Sequence, residues 1–320
     1  MALKDIKAKI GATNRTHKVT RAMEAVSAAK MRRTVGSALA GRAYARAALG
    51  ILARLAASSD LSRHPLLRTT TAEVRLLQDG RSPTSAGKIA LLVITSDKGL
   101  AGALNSGVIK AASEALAAYP QSAVTVYAYG KKGNDFFARR GYAVPFYAEN
   151  KKDEVERSVM EELAADLAAR FVAGDVDQVL VAYSNFKSTF EQRPTVRTLL
   201  PLSVEHVREL VEDIVPEKGA QSHVGGPTSH MGNGPAYTIE PADADVLSSL
   251  LPRLVAVSLY HMLLEAKASE HSARMVAMKS ASDKSKEVAH ALTRLANKLR
   301  QAAITREVSE IVGGREALAA

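Results

Sequence analysis

From residue 247 onward, apolar positions recur in alternating steps of three and four. The series is Leu247, Leu250, Leu254, Val257, His261, Leu264, Ala268, His271, Met275, Met278, Ser282, Ser285, Ala289, Leu292, Ala296, Leu299 and Ala303. This is the 3.5-residue period of a coiled coil, and it predicts a left-handed supercoil with a second helix. The candidate partner is the N-terminal flank, with its own stripe at Ile6, Ile10, Val19, Met23 and Val26. Helices from opposite ends of one chain would pair antiparallel. Periodicity alone leaves ordinary bundle helices open. The stretch ASEHSARMVAMKSASDKS, residues 268–285, reads as helix, yet its seam holds His271, Met275, Met278, Ser282 and Ser285. That seam is soft and small.

The middle follows a different pattern. KIALLVITSD (88–97), AVTVYAYG (123–130), AVPFYA (143–148) and DQVLVAYS (177–184) read as strands, with helical segments at 103–118, 131–140 and 153–173. Strands alternating with helices predict a mostly parallel, Rossmann-like sheet. NFKSTFEQ (185–192) and TVRTLLPL (195–202) suit a closing hairpin, and the Gly-, Ser- and His-rich run 217–235 suits a loop or linker. All 11 prolines fall between Pro65 and Pro252, so both flanks are free to form very long helices. The predicted fold is α/β: a long antiparallel coiled coil of the terminal helices plus a Rossmann-like central domain. Its expected divisions are 1–64, 65–216, 217–240 and 241–320.

Composition narrows the chemistry. The chain has no Cys, which removes disulfides, thiol catalysis and Cys-based zinc sites. Aromatics are 5% of residues and Trp is absent, so Ala, Leu and Val must carry the packing. The first ten residues have no apolar core, which predicts no secretory signal, and no run of about 18 apolar residues predicts a membrane span. The net charge of +10 is unevenly spread. Residues 1–64 hold 13 Lys/Arg against 3 Asp/Glu, residues 65–252 hold 19 against 23, and residues 253–320 hold 11 against 7. Basic ends around an acidic middle suggest an acidic partner for the ends; a solvated helix face is the plainer reading.

Catalytic motifs are hard to find. TSDKGLAGALN (95–105) follows a strand and opens a helix, where an α/β fold can hold a phosphate. Gly99, Gly102 and Gly107 do not make a dinucleotide fingerprint, however, and GRSPTSAGKI (80–89) is not a phosphate loop. The plainer reading is a tight turn with Ser96 and Asp97 capping the next helix. His223 and His230 match no metal spacing. No catalytic residue, cofactor or metal site is expected. Two rival readings remain: a basic coiled-coil protein that binds nucleic acid, disfavoured by scarce aromatics and the acidic middle, and a small-molecule enzyme on the sheet layer.

KIGATNRTHKVTRAMEAVSAAKMRR (9–33) resembles the N-terminal helix of the gamma subunits of F-type ATP synthases. The stretch from ASEHSARMVAMKS at residue 268 to residue 318 is similar to that family's C-terminal signature. TSDKGLAGALN is similar to its central-domain motif, and YTIEP (237–241) to its entry into the last helix. The chain departs from the family pattern at Arg15, Lys284 and Ala296, and 217–235 reads as an insertion. The resemblance implies a central rotor shaft turning inside a ring of alternating alpha and beta subunits. Its foot would rest with epsilon on a membrane ring of c subunits, without spanning the bilayer itself, on the cytoplasmic face of a bacterial inner membrane. The small, soft seam would suit a shaft that must turn.

The resemblance also implies roles. Arg274 and Met23 match residues that meet an acidic lever segment of the beta subunits. Arg300, Gln301, Thr305 and Glu307 match a group that engages a beta-subunit loop. Charge alone adds Lys18, Arg21, Lys30, Arg32 and Arg33 as an electrostatic face toward those levers.

Overall fold

The computed structural model describes residues 3–58, 64–67, 87–151, 157–202 and 243–319. The expected linker 217–240, His223, His230 and most of the 80–89 segment lie outside the described residues. In chain order the elements are α1 (Leu3–Ser58), β1 (Ile89–Ile94), α2 (Leu104–Leu116), β2 (Val124–Tyr129), α3 (Lys131–Arg139), β3 (Ala143–Ala148), α4 (Arg157–Ala173), β4 (Gln178–Phe186), β5 (Gln192–Leu200) and α5 (Asp243–Ala319). With 56 and 77 residues, α1 and α5 measure about 84 and 115 Å at 1.5 Å per residue. Two compact units result. One joins Met1–Ala28 to Arg274–Ala320; the other is Ala29–Ala273.

The larger unit holds the expected sheet, in the order β3-β2-β1-β4-β5. β1 pairs in parallel with β2 and β4, β2 pairs in parallel with β3, and β5 closes the edge antiparallel to β4. The hairpin is real, but β4 continues to Phe186 as one strand. Strand periodicity of two divides the core into two layers. Ala90, Leu92 and Ile94 of β1, with Val179, Val181 and Tyr183 of β4, pack against Met160, Leu163 and Leu167 of α4 and Leu251, Leu254, Leu259 and Leu263 of α5. Ile89, Leu91 and Val93 face the other way, onto Val108, Ala112 and Leu116 of α2 and Phe137 of α3.

The first part of α5 is therefore a wall of the sheet domain. This explains two of its features. The helix contains Pro252, which costs about 3 kcal/mol in a helix interior. Leu251, Leu254 and Val255 around it are at most 1% exposed, and each such burial returns roughly 1.5–3 kcal/mol, so packing prevails. Likewise, α5 is long and apolar enough by composition to cross a membrane, with an 18-residue window of mean hydropathy 1.4. Half of that window is buried inside the protein, as a core helix of a sheet domain requires.

At the carboxyl ends of the strands, the turn after β2 needs Gly130. Its φ is +108°, and a Cβ there would come 2.0 Å from the Thr95 carbonyl oxygen. Asp97 does not cap α2, as the sequence suggests. Its Oδ1 accepts the Lys131 backbone N–H at 2.6 Å and so caps α3. Ser96 instead donates its N–H to Asn105 Oδ1 at 3.0 Å, folding the β1–α2 turn onto its own helix.

In the smaller unit, α1 and α5 pair along a seam whose α5 side follows the expected period. Met278, Ser282, Ala289 and Ala296 are buried, and Ser285, Leu292, Leu299 and Ala303 are half-buried between exposed neighbours. The α1 side differs from expectation. Val19 and Val26 are 58% and 53% exposed, while Thr20 and Ser27 are buried. The seam of α1 runs through Ile6, Ile10, Thr13, His17, Thr20 and Ser27, and the apolar stripe Val19–Met23–Val26 lies off it. Small hydroxyl residues serve because they bond within their own helix: Thr20 Oγ1 donates to the Thr16 carbonyl at 2.9 Å, leaving the seam side apolar enough to pack.

Candidate functional surface

The two helices of the smaller unit meet at His17 and Ser282. His17 Nδ1 lies 3.0 Å from both the carbonyl oxygen and the hydroxyl of Ser282. An antiparallel register anchored there brings the start of α1 level with about residue 296 of α5. From residue 297 to 315 every residue of α5 is exposed except the half-buried Leu299 and Ala303. These last turns thus present nearly their whole circumference.

Arg300, Gln301, Thr305 and Glu307 all lie on this free segment and are all exposed. Helical spacing puts Arg300 and Glu307 on one face with Ile304 and Ile311, and Gln301 and Thr305 on the adjacent face with Val308 and Val312. Ile304, Val308, Ile311 and Val312 are 51–72% exposed. Sequence reading takes the small, mostly apolar tip VSEIVGGREALAA (308–320) as a low-friction bearing, which includes Val308, Ile311 and Val312; it missed Ile304, whose signal was that it is large, apolar and off the 3.5-residue seam. Interleaved charge, amide and branched apolar groups make a surface suited to protein rather than to solvent alone.

On α1, Lys18 and Arg21 are exposed beside the outward stripe Val19–Met23–Val26, with Met23 half-buried. Further along the same helix, in the larger unit, Arg32 and Arg33 are exposed and Lys30 is half-buried. Arg274 is different: only 9% exposed, it is packed within this chain.

The stretch 261–272 holds the densest buried polar chemistry. His261, Glu265, Lys267, Ser269, Glu270, His271 and Ser272 are all at most 6% exposed. Several of them tie α5 to the strand ends. Lys267 Nζ donates to the Asn150 carbonyl at 3.1 Å, Asn150 Nδ2 to the Thr95 carbonyl at 2.7 Å, and Ser269 Oγ to the Ser184 carbonyl at 2.9 Å. The softness read from the sequence therefore has two origins: polar ties to the sheet up to Ser272, and a small-residue coil seam from Met278. Glu265 is enclosed with Tyr183, and burial raises its carboxyl from 4.5 to about 7, opposed by the nearby Arg197, Tyr183 and Lys187. Burial also pushes the Tyr183 hydroxyl well up. The hydroxyl is near enough to favour the Glu265 anion, but neither group completes a hydrogen bond of ordinary geometry. Among the described residues no three His, Cys, Asp or Glu side chains converge as a metal site.

Fold and surface together define a class: α/β proteins whose terminal helices pair as an antiparallel coiled coil and present exposed basic and apolar faces. The comparisons with known proteins agree. A family model described as ATP synthase matches residues 2–318. The ATP synthase gamma chain of Roseiflexus castenholzii is 39% identical over 318 residues, covering 99% of this chain and 98% of that one. The gamma chain of Pelotomaculum thermopropionicum is 36% identical over 318 residues, covering 99% of both. In fold, the chain is similar to a chain in an OSCP, F1 and c-ring assembly of Euglena gracilis mitochondrial ATP synthase, with a TM-score of 0.61 at 18% identity over 99% of this chain and 94% of that one. The chain belongs to the ATP synthase gamma chain family.

Proposed function

We propose that this chain is the central rotor shaft of a proton-translocating ATP synthase, coupling ion flow through a membrane c ring to ATP synthesis or hydrolysis on an alpha–beta ring. The observation that carries this reading is the free end of α5. A helix that outruns its partner and shows charged and apolar residues on all sides suits a shaft tip enclosed by other subunits. Family membership supports the same reading and disfavours the nucleic-acid alternative.

In this role the chain is itself non-catalytic and binds no cofactor. Arg300, Gln301, Thr305 and Glu307 engage beta-subunit loops, with Ile304, Val308, Ile311 and Val312 as apolar bearing contacts beside them. Lys18, Arg21, Lys30, Arg32 and Arg33 supply the field that draws acidic levers, and Met23 gives the same face an uncharged, adaptable contact. Arg274, already packed within the chain, braces the start of the coil and reaches a lever only at its edge. Epsilon and the c ring hold the sheet-bearing unit, on the cytoplasmic face of a bacterial inner membrane; the two gamma chains of more than 30% identity named above come from bacteria. Purifying the chain from its native membrane and identifying its companions tests this. Alpha, beta, epsilon and c subunits in one complex are expected. Recovery of the chain alone or with nucleic acid contradicts it.

A further inference from the structure

Between residues 267 and 272, within the larger unit, α5 is tied to the sheet from two sides. Lys267, Ser269 and Ser272 are at most 2% exposed. Lys267 Nζ donates to the Asn150 carbonyl, just beyond β3, at 3.1 Å. Asn150 Nδ2 donates in turn to the Thr95 carbonyl, just beyond β1, at 2.7 Å. Thr95 is itself held. Its N–H donates to the Tyr129 carbonyl of β2 at 2.8 Å, and its Oγ1 accepts the Gly133 N–H of α3 at 2.9 Å. The two serines reach other strands. Ser269 Oγ donates to the Ser184 carbonyl of β4 at 2.9 Å. Ser272 Oγ donates to the Thr189 carbonyl in the turn after β4 and accepts from Gln192 Nε2 of β5 at 3.3 Å.

Successive residues of an α-helix are turned by about 100°. Ser269 and Ser272 therefore project about 200° and 140° round from Lys267, both close to its opposite side. One side of α5 is thus tied toward β3 and β1, the other toward β4 and β5. A helix tied on one side can roll about that side. A helix tied on both sides cannot roll without bending a hydrogen bond, and such bonds weaken steeply as their angle is lost. The apolar contacts of Leu251, Leu254, Leu259 and Leu263 are non-directional, so they oppose separation from the sheet more than rolling on it. The choice of lysine points the same way. Buried charge is often no more stabilising than an apolar residue of similar volume, so what Lys267 contributes is position.

We propose that this two-sided bracket is the torsional joint between α5 and its sheet, with Lys267 as the positioning residue through which a twist of the helix reaches the sheet. This rests on the rotor reading above and names the part of the chain that carries its torque.

The chain has no Cys, so Glu114→Cys, exposed on α2, takes a single bead. In the assembled complex, with the alpha–beta ring fixed to a surface, the variance of bead angle about one resting position reports how stiffly sheet and helix are joined. Lys267→Met keeps the apolar stem and removes the donors; Ser269→Ala cuts the opposite tie. Each is expected to widen the variance roughly two-fold, because only non-directional packing then resists rolling on that side. Leu259→Ala removes buried apolar contact but no tie, and is expected to lower the melting temperature while leaving the variance near its unaltered value. No widening in the tie variants, widening in only one of them, or equal widening in Leu259→Ala overturns the bracket. The rotor reading stands in each of these cases if the bead still turns with ATP. Should Lys267→Met fail to assemble, Ser269→Ala against Leu259→Ala decides. If the bead on the otherwise unaltered chain never turns with ATP, the rotor reading falls and the bracket's role falls with it.

Discussion

Residues 247–272 and 278–303 of α5 belong to one helix, yet they bury different things. The first stretch covers a sheet, with Leu251, Leu254, Val255, Leu259, Met262 and Leu263 essentially inaccessible and polar ties to the strand ends. The second offers a narrow seam of Ala, Ser, Leu and Met to one helix and leaves its other faces to solvent. A continuous helix can thus be clamped at one end, by large buried side chains and polar ties, and held at the other by a narrow seam. The lightly held end is where an external partner has surface to bind.

The sharpest way to break this contrast is to cut a large residue from the clamped end. Leu259→Ala should destabilise the chain by about 2–5 kcal/mol, the usual range for a buried leucine, measured by urea unfolding. A loss below 1 kcal/mol would mean that the first stretch is no better packed than the second.

Glu265 gives the next largest effect and a pH signature. Its folded carboxyl titrates near 7, against an ordinary 4.5. Below the ordinary value the group is protonated whether folded or not, and its ionisation has no influence. As pH rises from there toward 7 the unfolded chain ionises first and stability falls; above about 7 the loss is complete, near 3 kcal/mol. Glu265→Gln should therefore flatten stability between pH 5 and 8 and gain most at pH 8. Parallel pH profiles for the two chains would show that Glu265 does not titrate in this window.

How much of this was legible in the sequence depends on which side of the coil is considered. The α5 seam was readable because Met278, Ala289, Leu292, Ala296 and Leu299 are apolar and correctly spaced. The α1 seam was not, because Thr13, His17, Thr20 and Ser27 are polar by type, while Thr20 satisfies its hydroxyl within the helix and His17 meets Ser282. The apolar trio Val19, Met23 and Val26 drew the pattern to the wrong face. The mostly parallel sheet followed from alternation, though its strand order did not, and the Asp97 cap on α3 joins residues 34 apart and has no local signal. The candidate contact residues came from family resemblance and charge, and the apolar bearing tip from its composition; Ile304 needed the observed exposure.

Met23→Lys sharpens the outward role of that stripe. A cation placed between Val19 and Val26, on an already basic helix, should over-bind an acidic lever and impair coupling more than assembly. The ratio of ion pumping to ATP hydrolysis in the assembled complex checks this, and a proportional fall in both contradicts it. The smallest effect is expected at the coil seam. Ser282→Ala removes one of the two contacts to His17 and should lower stability by about 1 kcal/mol or less, read by thermal unfolding. A loss matching that of Leu259→Ala would erase the difference between the two stretches.

The central claim is that the chain turns as a shaft within its complex. A bead attached through Glu114→Cys, with the alpha–beta ring fixed to a surface and ATP supplied, observes this directly. The account predicts sustained rotation in one direction that stops when ATP is withdrawn. A bead that only fluctuates about a fixed angle while the same complex hydrolyses ATP would contradict it.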